Sequence, residues 1–63
     1  MKYTVNLRVE TYSGIAVEPY TVSAGNPKSA ESIAAVKAMD KHGRDNVTEV
    51  LVVSVEEAKT NAA

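Results

Sequence analysis

Asn26-Pro-Lys-Ser-Ala-Glu-Ser-Ile-Ala-Ala-Val-Lys-Ala-Met-Asp-Lys-His-Gly43 reads as one helix, and it divides the sequence into two strands before it and one after it. Asn26 suits the N-cap, where its side-chain oxygen can accept an early helical N–H. Pro27 suits the first helical position, where no amide donor is missed, and Gly43 can take the left-handed conformation that closes a helix. Ile33, Val36 and Met39 fall on one side, with Ala30, Ala34 and Ala38 as an adjoining stripe. Together they predict a broad apolar face laid across a sheet. Lys41 and His42 suit the negative end of the helix dipole and are expected to look to solvent.

Upstream, Tyr3, Val5, Leu7 and Val9 alternate with Lys2, Thr4, Asn6, Arg8 and Glu10, the pattern of a strand with one buried and one solvated face. Thr11-Tyr12-Ser13-Gly14 supplies the small and flexible residues of a hairpin reversal, with Gly14 at the strained position and Tyr12 packed over the hairpin end. From Ile15 to Ala24 the alternation changes phase: Ile15 and Val17 share one parity, Tyr20, Val22 and Ala24 the other. Pro19 cannot donate to a ladder, so this reads as an edge strand kinked or bulged at Glu18-Pro19.

Downstream, Val47–Val55 is the most β-prone segment and is apolar on both parities. Leu51, Val53 and Val55 are assigned to the face under the helix, which places Val50 and Val52 opposite. Connection rules complete the topology. A hairpin followed by a right-handed crossover through the helix sets the last strand beside the first. The expected fold is α+β, in the order ββαβ, with one helix on a three-stranded antiparallel sheet of order 2-1-3, extended by oligomerisation. Residues 1–56 form the single domain and 57–63 a solvated tail. The third strand is then a long apolar edge, which natural proteins normally block because its free backbone groups recruit other chains; either it associates or the C-terminal tail folds back to cover it.

Composition narrows the function classes. Sixty-three residues, 44% hydrophobic and 24% charged, suffice for one globular core and not for two. Below about 70–80 residues a core rarely supplies more than about 3–5 kcal/mol, and small domains add disulfides, metals or subunits. This chain is cysteine-free and has a single histidine, His42, so self-association is the staple left to it. Lack of cysteine suits a reducing cytoplasm, and the polar residues interrupting Met1–Arg8 do not resemble a signal peptide. The expected location is cytoplasmic, with no membrane partner. Seven basic and eight acidic residues, net −1, leave no electrostatic footprint for a polyanion.

No nucleophile, metal-ligand set or cofactor loop stands out, so no catalytic, cofactor-binding or metal residue is assigned. His42-Gly43-Arg44-Asp45 gathers a histidine, a cation and a carboxylate, but a helix end and its loop account for the string. Glu49, Glu56 and Glu57 read as solvated charges near the third strand. Tyr3 shares a face with Val5 and Leu7, so it does not form an outward base-stacking platform. The expected function is a non-enzymatic protein-interaction module that self-associates as a dimer or higher homo-oligomer. Such modules also serve phages and mobile elements as accessory or inhibitory proteins. Val50, Val52 and Ser54 are the expected contact, and the other protein partner is unidentified. The alternative is nucleic-acid binding through Lys2, Asn6 and Arg8 on the outer sheet face.

Overall fold

A computed structural model describes residues 1–57. It contains β1 (Lys2–Thr11), β2 (Gly14–Ser23), α1 (Pro27–His42) and β3 (Val47–Glu57). The strands form one antiparallel sheet of order β2-β1-β3, with α1 packed on one face. This is the ββαβ arrangement that the alternation of β1 and the caps of the helix predict. β3 continues through Glu56 and Glu57, so the strand outlasts its expected end at Val55. The rest of the expected tail, 58–63, lies outside the described residues.

Both helix ends form as their residues dictate. Asn26 is extended, and its Oδ1 accepts the Ser29 N–H at 2.8 Å. At the other end Gly43 has φ +86°, and its carbonyl accepts the N–H groups of Asn46 and Val47. The chain is thereby turned directly into β3.

The hairpin reverses through Tyr12 and Ser13, neither of which has positive φ, so the strain falls on Gly14 at φ +142°. Thr11 Oγ1 donates to the Gly14 carbonyl and accepts the Ser13 N–H. Tyr12 is exposed rather than packed over the hairpin end. Its N–H instead donates to the Asn46 carbonyl, tying the hairpin tip to the start of β3.

The core consists of Tyr3, Val5, Leu7 and Val9 from β1, Val22 from β2, and Ala30, Ala34 and Ala38 from α1. The buried residues of the helix are therefore its alanine stripe. Ile33 and Val36, assigned above to the buried face, remain 37% and 47% exposed. Helical geometry explains the difference: they lie about 100° and 200° round the axis from Ala34, beyond the reach of a sheet that the short alanine side chains hold close.

The two outer strands depart from the expected pattern in opposite ways. β2 has no bulge at Pro19, since its register against β1 is unbroken from Lys2↔Ser23 to Thr11↔Gly14. The phase change in the sequence is a division of apolar residues between two faces. Tyr20 and Val22 lie under the helix, whereas Ile15 and Val17 lie on the open face with Pro19. An edge position accommodates a residue with no donor, which is why Pro19 needs no bulge. The irregularities are in β3. Val55 pairs with Val5 and Ser54 with Asn6, but Val52 pairs with Leu7, leaving Val53 as an extra residue. A second shift leaves Thr48 extra and sets Val47 opposite Thr11.

The bulge reverses the face assignment of β3. Residues directly opposite each other in a ladder point to the same side of the sheet. Val50 and Val52, opposite Val9 and Leu7, therefore lie on the helix side, and Leu51, opposite Arg8, lies on the open face. The open face runs in rows across the strands: Thr21–Thr4–Glu56, Pro19–Asn6–Ser54, Val17–Arg8–Leu51 and Ile15–Glu10–Glu49.

Two substitution pairs check this packing by chemical denaturation. Ala34→Leu pushes the helix off β1 and is expected to cost about 1–3 kcal/mol, whereas Val36→Ala, at a half-exposed site, changes stability by less than about 1 kcal/mol. Gly14→Ala meets no neighbouring atom yet must hold a positive φ, so it is expected to cost about 1–2 kcal/mol through backbone strain alone. Gly25→Ala, with open space and no positive φ, should stay within about 0.5 kcal/mol of the parent.

Candidate functional site

Two regions concentrate what the fold does not use for its core: a polar cluster between β2 and the end of α1, and the uncovered surfaces of the sheet. The cluster centres on Glu18. In an unbroken β2 register Glu18 shares the helix side with Tyr20 and Val22, and sits directly opposite Leu7. Its Oε1 accepts from the Tyr20 hydroxyl at 2.7 Å and lies 2.7 Å from His42 Nε2, while Oε2 accepts from Lys41 Nζ at 2.8 Å. Lys41 and His42, expected to look to solvent, instead turn back on the sheet. The sequence contained the signal in the parity that Glu18 shares with Tyr20 and Val22. Assigning a bulge at Pro19 hid it.

The electrostatics favour a tie between elements over proton transfer. The Lys41 ammonium, His42 and the Tyr20 hydroxyl, in that order, hold the Glu18 carboxyl down from its ordinary 4.5 to about 2. Burial, and then the neighbouring carboxylate, push the Tyr20 phenol up from 10.0 to about 12. A carboxylate this weakly basic and a phenol this weakly acidic are both poorly matched to acid–base work near neutral pH. Glu18 and His42 supply two donors of the kind that bind metals, against the three or four protein donors of a typical zinc site.

The second region is the outer edge of β3 with the open face. Leu51, Val52 and Val53 are consecutive and 42%, 42% and 60% exposed, and among the described residues no strand pairs with the far side of β3. Of the three residues expected at a contact, Val50 is half-buried against the core and Val52 is on the helix side at the edge. Ser54 is on the open face, where its Oγ accepts from Asn6 Nδ2 at 2.9 Å. The structure thus separates Val50 and Val52 from Ser54. Leu51 is the apolar β3 residue of the open face, and sequence parity missed it because the bulge lies between it and Val55.

Lys2, Asn6 and Arg8 do share the open face, in line along β1. They share it with three carboxylates. Glu10 and Glu49 stand directly opposite each other, Glu56 stands opposite Thr4, and Arg8 Nε approaches Glu10 Oε2 at 3.7 Å. Glu57, opposite Tyr3, belongs to the other side.

The Glu18 cluster carries a pH dependence of defined sign. Because its folded value lies below the ordinary one, the stabilisation is complete above about pH 4.5 and lost as pH falls towards 2. Glu18→Gln is expected to flatten that acid limb in a urea-unfolding series and to cost about 1–2 kcal/mol at pH 7. Tyr20 acts at the other extreme: its contribution is intact below pH 10 and lost as pH rises through about 12, and Tyr20→Phe should remove that alkaline loss.

No family model matches the chain, no curated protein matches it, and no solved structure matches it.

Proposed function

We propose that this chain is a small, non-enzymatic protein-interaction module that self-associates, with β3 at the contact. The observation that carries this reading is the run Leu51-Val52-Val53, three consecutive exposed apolar residues on an edge strand that nothing in the described fold covers. Size supports it too, since a core of eight buried residues, three of them alanine, leaves a cysteine-free domain dependent on further burial. Association with a second copy also suits an accessory or inhibitory protein whose assembled surface engages another protein in the cytoplasm. No described helix is long and apolar enough to cross a membrane.

Nucleic-acid binding through Lys2, Asn6 and Arg8 is the weaker reading. Phosphate contacts need uncompensated cations. Here Arg8 lies beside Glu10, Asn6 is engaged with Ser54, and Glu49 and Glu56 add negative charge to the same face.

The test is the solution mass of the 63-residue chain by sedimentation equilibrium up to high micromolar concentration. The parent is expected above monomer mass, and Leu51→Glu, which places a negative charge on the uncovered face, is expected to return it to monomer. A monomeric parent throughout that range overturns the reading. Val52→Glu separates two ways of using β3: pairing along the edge would be disrupted by either glutamate, whereas packing through the open face would be disrupted only at Leu51.

A further inference from the structure

Building on the self-association proposed above, we infer that two copies meet face to face through the open side of the sheet. A two-fold axis sets the Val17–Arg8–Leu51 row of each against the Ile15–Glu10–Glu49 row of the other. Three observations lead to this geometry. The first is the placement of exposed apolar side chains. Ile15, Val17 and Leu51 all lie on the open face and all fall in two adjacent rows at the hairpin end.

The second observation is the charge pattern of the same rows. Glu10 and Glu49 are directly opposite, an arrangement that is unfavourable for like charges. Within the chain their cationic neighbour is Arg8, which is half-exposed and reaches Glu10 only at 3.7 Å. A symmetric contact requires a surface complementary to itself. With an axis perpendicular to the strands and passing between these two rows, each strand lies over its own counterpart. Arg8 then faces Glu10 of the other copy, with Glu49 beside it, Val17 faces Ile15 and Leu51 faces Glu49, twice over by symmetry.

The third observation concerns the alternative route along the β3 edge. Extra residues at Thr48 and Val53 leave only the Glu49–Val52 segment regularly paired between them. Bulges of this kind disrupt the array of backbone groups that an added strand would need.

Other face-to-face registers fit less well. Centring the axis on the Pro19–Asn6–Ser54 row would bring Lys2 to Glu10, but it would set Ile15 and Val17 against Ser23 and Thr21. The favoured register overlaps two rows of three strands, roughly 14 by 14 Å, or about 200 Å² per copy. Stable interfaces bury about 800 Å² per partner, so the expected dimer is weak and reversible.

Charge reversal tests the register on the intact chain. Arg8→Glu and Glu10→Arg are exposed or half-exposed changes, and circular dichroism can verify that each variant stays folded. In Arg8→Glu homodimers acid faces acid, and in Glu10→Arg homodimers cation faces cation, so each alone should associate at least about tenfold more weakly than the parent. An equimolar mixture of the two places opposite charges together at both positions and should restore dimer mass in sedimentation equilibrium. Lys2→Glu, outside the overlap, should leave the parent's association unchanged. If the parent associates but both reversals leave it unaffected, or the mixture fails to recover, the inferred face falls while self-association stands. Disruption by Lys2→Glu in place of the two reversals likewise overturns this register. A monomeric parent overturns both.

Discussion

The close approach of α1 to β1 through Ala30, Ala34 and Ala38 is the contact on which the rest of the structure depends. All three alanines are fully buried, against Val5, Leu7 and Val9 of the central strand. A short side chain at each inward position brings the helix close, and this closeness limits its cover. A helix is about 10 Å across with its side chains, whereas three strands span about 14 Å including their outer margins, so the flanks of the sheet are reached only in part. Sixteen residues of helix extend about 24 Å against about 33 Å for a ten-residue strand. Ile33 and Val36 are consequently left at the surface.

The Glu18 cluster supplies at one flank what apolar packing does not. β2 directs Ile15 and Val17 away from the helix, so towards its start it offers α1 little more than Ala16 and the Glu18 carboxylate. Tyr20, Lys41 and His42 converge on that carboxylate and join the edge strand to the last turn of the helix. Three donors on one acidic group explain both why Glu18 stays ionised and why it is tolerated on the inner side of a strand. The same arrangement gives the only histidine a structural partner.

On the opposite side of the sheet no helix intervenes among the described residues. Its central strand is polar, and towards the hairpin end Val17 and Leu51 lie on either side of Arg8, and Ile15 and Glu49 on either side of Glu10. A surface of this kind is neither an ordinary solvated face nor a core, and its acidic pair shares one cation, Arg8, 3.7 Å from Glu10. The proposed self-association would cover Ile15, Val17 and Leu51 on this face.

The sequence by itself determined the elements and their order. The strict alternation of Tyr3 to Val9, the Asn26-Pro27 start and the Gly43 stop act through neighbouring residues, and connection rules then allow few topologies. The 2-1-3 sheet follows from those local signals. Which face each outer residue occupies was decided only in the tertiary structure. A one-residue bulge at Val53 inverts the parity of Glu49–Val52 in β3, exchanging Leu51 for Val50 and Val52, and nothing local in a run of valines marks where the extra residue falls. Glu18 was misread for a related reason: its side depends on whether β2 stays in register with β1 past Pro19. That is a property of the strand's edge position and of its hydrogen-bonded partner, supplied by residues distant in the chain.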